Sequence, residues 1–210
     1  IACFPNTKNV VINAFKQAFY EFGMPLSVLS DNGPQFAGFK HGFTMFEKFL
    51  MNNDILPVHC RIKHPQTQGK IERFHGTMKR DLLNHNLFEN LEYADKALQE
   101  WRIKYNCLRP HEAIGNKCPA DIYTHSERIF ADKVEPFEYE PGFKVIKVNS
   151  WGYVRFQNFQ LYLSETFIGD YVQFRPNPNN DSFLVCYRNF VIAEYDALSG
   201  ERIHRKISRL

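Results

Sequence analysis

The chain has 210 residues, enough for one large domain or two small ones with a substantial core. Hydrophobic residues make up 44% and charged residues 23%, a globular balance that excludes disorder, collagen and coiled coil as descriptions of the whole chain. No apolar run approaches the roughly 20 residues of a membrane span, and a net charge of +3 does not by itself demand a polyanionic partner.

In chain order, Val11, Phe15, Ala18, Phe19 and Phe22 recur at helical spacing, with Asn6 or Thr7 as a cap and Gly23 as a stop. Leu26 to Ser30 reads as a short buried strand running into the turn Asp31-Asn32-Gly33-Pro34. Phe36, Phe39, Phe43, Phe46 and Leu50 predict a second helix up to about Asn52. Val58, Cys60 and Ile62 alternate with His59, Arg61 and Lys63, the pattern of a strand with one wet face. A polar loop from His64 to Gly69 leads to a third helix from Lys70 to Asn84. A fourth helix carries Ala94, Leu98, Trp101 and Tyr105 on one stripe. This alternation predicts an α/β arrangement. Beyond Phe143 the texture changes to short apolar stretches separated by turn clusters such as Asn177-Pro178-Asn179-Asn180, the pattern of a small all-β barrel or sandwich. The predicted organisation is therefore an α/β domain over residues 1–124, a linker over 125–140 and a β-barrel domain over 141–210.

The five cysteines are scattered and form no Cys-x-x-Cys pair, which fits reduced thiols in a cytoplasmic setting. Cys107, His111 and Cys118 offer three zinc-type ligands with no evident fourth.

Two segments carry the chemistry. In Ser30-Asp31-Asn32-Gly33-Pro34-Gln35-Phe36, an acid follows a strand, where open α/β sheets bind ligands; the alternative is an ordinary Asp-Asn-Gly turn. In His64-Pro65-Gln66-Thr67-Gln68-Gly69-Lys70-Ile71-Glu72-Arg73-Phe74-His75, helical phasing puts Ile71, Phe74, Met78 and Leu82 on a core stripe. Glu72 and Lys79 lie about 20° apart beside that stripe, and Arg73 and Arg80 line a second row. Gly76 would allow another backbone to approach the helix. From His59 to Arg80 the bases are Arg61, Lys63, Lys70, Arg73, Lys79 and Arg80, against Glu72 as the one acid. Such a local excess around one carboxylate suits a phosphate backbone brought to a metal, although an ion-paired, solvated helix face would look similar. His59, His64 and His75 add donors, Arg109 and His111 follow the fourth helix, and Arg202, His204, Arg205, Lys206 and Arg209 form a basic tail.

These segments, together with Tyr105-Asn106, Arg109-Pro110-His111 and Pro119-Ala120-Asp121-Ile122-Tyr123, resemble the DDE-type integrases and transposases. The likeness is strongest to bacterial insertion-sequence transposases with a retroviral-integrase-like core, and it spans about residues 1–124. It implies an RNase H-like core in which Asp31 is the second and Glu72 the third of three metal-binding catalytic acids. The first acid and the opening strands would lie upstream of Ile1, and Ile1–Phe4 would end the third strand. The Asp31–Glu72 interval is longer than in many relatives, which suggests a lengthened intervening helix. The resemblance also implies Mg²⁺ or Mn²⁺ as a pair of cofactor ions. It implies double-stranded DNA, as element ends and target, as the partner. Lys63, Lys70, Arg73, His75, Lys79, Arg80, Arg109 and His111 would be the DNA-binding residues. The remaining implications are a homo-oligomer on DNA, no membrane partner, and a bacterial cytoplasmic, nucleoid-associated location. The activity implied is end cleavage and strand transfer. An RNase H-like nuclease and a catalytically inactive DNA-binding fragment are the alternatives.

Overall fold

A computed structural model describes residues 8–38, 42–60, 69–204 and 207–210. The described residues divide into two compact units: a helical unit, residues 69–126, and a mixed unit, residues 8–60 with 127–210.

The mixed unit begins with helix α1 (Lys8–Phe22). Val11, Ile12, Phe15 and Phe19 face one cluster with Phe46, Phe49, Leu50, Ile55 and Phe130. Phe19 stacks on Phe49 at 5.9 Å between ring centroids, and Phe15 meets Phe46 at 4.8 Å. Gly23 ends the helix with φ 73°, its N–H donating to the Phe19 carbonyl. The expected caps, Asn6 and Thr7, and the expected strand end at Ile1–Phe4 lie outside the described residues.

Strands β1 (Ser27–Ser30) and β2 (Leu56–His59) pair in parallel, Ser27 opposite Leu56 and Ser30 opposite His59. The sequence suggests a buried β1, but Leu26 and Leu29 are 70% and 50% exposed. The aromatic cluster takes Val28, leaving the alternate residues of β1 exposed. β2 also differs from expectation. Pro57 is buried and Val58 is exposed, while His59 is drawn in by a buried carboxylate described below.

Helix α2 (Met45–Asn52) is shorter than its apolar periodicity suggests. Thr44 and Glu47 form a reciprocal capping box, and this fixes the helix start after Phe36 and Phe43 have passed. The extra length between Asp31 and Glu72 therefore does not lengthen this helix. Gly38 approaches Gly42 so closely that a Cβ there would sit 2.1 Å from the Gly42 carbonyl oxygen.

The C-terminal part of the mixed unit is antiparallel: β3 (Lys144–Lys147), β4 (Tyr153–Phe156), β5 (Phe159–Tyr162), β6 (Tyr171–Pro176), β7 (Ser182–Tyr187), β8 (Phe190–Asp196), β9 (Arg202–His204) and β10 (Ser208–Arg209). The ladder runs β10-β8-β7-β6-β3, with β9 also on β8, and β4–β5 form a separate hairpin. Phe156 of the hairpin stacks on Phe174 of β6 at 4.1 Å. Val154, Leu161, Phe167, Val172, Val185, Phe190 and Ile192 fill the core, and Phe43 and Met51 enter the same cluster. Further ties join these parts. Tyr187 donates to Asn52, and Arg209 binds both carboxylate oxygens of Asp54 at 3.0 Å.

Residues 127–142 have no helix or strand but are fastened along their length. Arg128 donates to the carbonyls of Pro25, Asn53 and Asp54, and Phe130 is buried. Asp132 accepts from Lys16 and Tyr20. Farther along, Gln173 donates to the Glu140 carbonyl.

The helical unit holds α3 (Gly69–Asp81), α4 (Leu91–Ile103) and α5 (Pro119–Ile122). Asn90 caps α4, which continues as a π-turn over Lys104–Leu108. Met78, Leu82 and Trp101 are buried with Phe74, Leu98 and Tyr105 against them. Ile71, expected on this stripe, is 48% exposed.

Removing a fully buried side chain leaves a cavity as well as a lost transfer energy, whereas a half-exposed one loses less. Leu50→Ala should cost about 2–5 kcal/mol and Leu29→Ala under about 1 kcal/mol in urea unfolding. Equal losses would contradict the burial described for β1.

Candidate functional site

Asp31 stands at the exit of β1 and is exposed. One of its oxygens accepts the Gly33 N–H at 2.9 Å, closing an Asx-type turn. A Cβ on Gly33 would lie 2.9 Å from that oxygen, so a larger residue there would push on the Asp31 side chain. The other Asp31 oxygen has no hydrogen bond among the described residues. The strand exits are laced together by Cys60 N–H donating to the Ser30 carbonyl at 3.0 Å. Asn32 adds a bond from its side-chain amide to the Cys60 carbonyl at 2.9 Å.

Behind this turn is a polar line that the sequence did not single out. Glu47 has no exposed surface. One of its oxygens accepts from the Thr44 N–H at 2.7 Å and the Gly38 N–H at 3.3 Å. The other meets His59 Nε2 at 2.9 Å, and His59 Nδ1 meets the Ser30 hydroxyl at 3.0 Å. The Thr44-x-x-Glu47 spacing was the available signal for Glu47. Nothing local marks His59 as its partner, because strand register sets that pairing.

In the helical unit, Glu72 lies in the first turn of α3, where the helix dipole favours an anion, and it is exposed. Lys70, Arg73, His75, Lys79 and Arg80 are exposed along the same helix. Lys63 and the His64–Gln68 stretch lie outside the described residues. A Cβ on Gly76 would meet nothing within 4 Å, so no described backbone makes the close approach expected there.

Arg109 and His111 are already engaged. Arg109 donates to Asp81 at 2.6 Å and lies 6.0 Å from the centre of the Tyr105 ring. His111 packs its ring on Tyr105 at 4.8 Å, with Nε2 shielded from solvent. In the basic tail, Arg209 is held by Asp54, while Arg205 and Lys206 lie outside the described residues.

Asp31 belongs to the mixed unit and Glu72 to the helical unit, so neither unit's geometry contains both acids. Among the described residues no three His, Cys, Asp or Glu side chains gather as a metal-binding group, and the Cys107, His111 and Cys118 set is no exception. The donor chemistry of Asp31 does fit a hard divalent cation: an exposed carboxylate, oriented through one oxygen, with the other available.

Residues 53–119 match the family model described as "Integrase core domain". The chain is 29% identical over 132 residues to an uncharacterized 39.2 kDa protein of insertion element IS476 from Xanthomonas euvesicatoria, covering 63% of this chain and 36% of that protein. It is 27% identical over 128 residues to an uncharacterized 31.7 kDa protein of IS407 from Burkholderia multivorans, covering 61% and 44%. It thus spans less than half the length of these relatives. Among solved structures, it is similar to the HTLV-2 integrase catalytic core domain in complex with magnesium. That likeness has 27% identity over 56% of this chain and 70% of that one, with a TM-score of 0.40. A simian T-cell lymphotropic virus intasome chain, solved with a PP2A regulatory subunit, shares 16% identity over 88% and 63%, with a TM-score of 0.47. Residues 53–119 thus match an integrase core domain, and the chain is similar to uncharacterized proteins of insertion elements. The element order is mixed α/β, helices with a two-stranded parallel sheet, followed by an antiparallel all-β part.

Burial alone would raise the Asp81 carboxyl, but the hydrogen bonds and charges of Arg109 and Arg80 outweigh it and hold it below the usual range. A carboxylate depressed in the folded state adds stability above its unfolded pKa and loses it as pH falls through the folded value. The difference in thermal midpoint between the wild type and Arg109→Ala should therefore be steady from about pH 7 to pH 5 and should close below about pH 4. A gap that widens on acidification would contradict the pairing.

Proposed function

We propose that this chain acts in DNA transposition or integration by metal-dependent phosphoryl transfer, cleaving element ends and joining them to target DNA. The observation that carries the reading is the integrase core match over residues 53–119, which contains Glu72 together with the basic face of α3. Asp31 and Glu72 are the acids assigned to the metal. Asp31 is held by its turn so that one oxygen is left for coordination, and Glu72 presents its carboxylate at a helix start. Bound Mg²⁺ or Mn²⁺ would supply activation of the attacking oxygen and neutralisation of charge on the phosphate. The exposed cations Lys70, Arg73, Lys79 and Arg80 bind and orient the DNA backbone, and Lys63 and His75 are assigned to the same partner. Arg109 and His111 act one step back, holding the π-turn and the loop after it against Tyr105.

In this reading residues 1–124 carry the chemistry, 125–140 link, and 141–210 add DNA-binding surface; exposed Trp151 at the β3–β4 turn supports that last role. Double-stranded DNA, on which copies of the protein assemble, is the partner. The bacterial nucleoid is the place of action. No described helix is long and apolar enough to cross a membrane.

The test is a joining assay with labelled element ends, Mn²⁺ and the protein expressed from its own reading frame. Loss of an outer partner of a metal ligand costs about 10–100-fold. Asp31→Asn and Glu72→Gln, which remove the ligand charge itself, should each lower strand transfer by at least about 100-fold. Cleavage without joining would place the protein among nucleases. Binding without cleavage would make it a DNA-binding fragment, and full activity in Glu72→Gln would overturn the site.

The basic row gives a separate expectation. Replacing Arg73 and Arg80 with Ala should weaken binding to all DNA sequences alike. It should also flatten the plot of log affinity against log salt, by nearly one unit for each phosphate that is no longer neutralised. An unchanged slope would mean that these side chains only solvate the helix.

A further inference from the structure

We propose that Glu47, His59 and Ser30 form a positioning relay that holds Asp31 in place, an assignment that rests on the role given to Asp31 above. A carboxylate only accepts hydrogen bonds. Glu47 is fully buried and already takes the donors of the α2 cap with one oxygen, so its other oxygen requires a proton on His59 Nε2. In the neutral ring this leaves Nδ1 as an acceptor, and Ser30 Oγ–H donates to it. The relay thus runs from the start of α2, through the last residue of β2, to the residue immediately before Asp31.

The local architecture gives the relay its leverage. β1 and β2 are four residues each, and Leu29 and Val58 opposite one another are exposed. Packing therefore does little to fix the strand ends. The links that fix them are Ser30 to His59, Cys60 to Ser30 and Asn32 to Cys60, all bracketing Asp31. A buried ionisable pair is a poor source of stability compared with apolar side chains of similar volume. Its contribution is geometric: it specifies the direction in which the chain leaves β1. Acting through Ser30, His59 is assigned as a positioning residue.

The experiment titrates Mn²⁺ into the ¹⁵N-labelled 210-residue chain and follows paramagnetic broadening of the amide signals of residues 31–33. Wild type, Ser30→Ala, His59→Leu, His59→Gln and Asp31→Asn are compared, with strand transfer measured in parallel on the protein expressed from its own reading frame. Ser30→Ala removes one hydroxyl and leaves the Glu47–His59 pair intact, so it reports on the relay even if His59→Leu does not fold. Ser30→Ala should raise the Mn²⁺ half-saturation several-fold, and His59→Leu should raise it by about 10–100-fold, the range seen for outer partners of metal ligands. His59→Gln, which keeps a donor for Glu47 and an acceptor for Ser30, should recover most of the loss. The Michaelis constant for DNA should stay unchanged while kcat falls. Wild-type half-saturation in Ser30→Ala, with Asp31→Asn abolishing binding, would overturn the relay alone. Unchanged broadening and joining in Asp31→Asn would overturn the role of Asp31 and the relay with it.

Discussion

Burial of the Glu47 carboxylate is the constraint around which the first half of the mixed unit is arranged. A charge with no exposed surface must collect donors, and among the described residues these include Thr44 at the start of α2, the Gly38 backbone, and His59 at the end of β2. Meeting that demand sets where α2 begins, which way His59 points, and therefore which residues of β2 face outward. The aromatic cluster of Phe15, Phe19, Phe46, Phe49 and Phe130 supplies the burial, but it is indifferent to register at the level of single hydrogen bonds. The polar line supplies that discrimination.

The turn that carries Asp31 inherits its position from this arrangement. Ser30 and His59 are paired strand ends, and the bonds from Cys60 and Asn32 continue the lacing past the last ladder residue. The helical unit solves a different problem. Its core is built from Phe74, Met78, Leu82, Trp101 and Tyr105, and one consequence is that the cations and Glu72 of α3 remain on exposed surface. Arg109, itself exposed, pairs with Asp81 and lies beside the Tyr105 ring at the aromatic end of that core.

Much of this was legible in the sequence. Helices α1, α3 and α4 follow their apolar stripes, and β3 to β8 fall on the short stretches between turn clusters, because in both cases periodicity and punctuation are local signals. Asp31 and Glu72 were singled out for a different reason, as parts of extended motifs that resemble a family. What was not legible depends on distant partners. Phe36 and Phe43 fit a helical period, yet Thr44 starts α2 later because its capping box outcompetes one more apolar turn. Leu29 reads as buried, yet a two-stranded sheet covered by the cluster through Val28 leaves it in solvent. Phe43 reads as helix stripe, and nothing near it or Met51 indicates that the two share a core with Val172 and Phe190. His59 reads as the wet face of a strand, and only the buried Glu47 turns it inward.

The proposed function assigns both Asp31 and Glu72 to the metal. A double-mutant cycle on Mn²⁺ affinity tests it most directly, using wild type, Asp31→Asn, Glu72→Gln and the double variant. If the two acids share the metal, the second substitution should cost much less once the first is made, giving a coupling well above the roughly 0.5 kcal/mol scatter of independent sites. Strictly additive losses would mean that the acids act at separate places, and the shared site would be refuted.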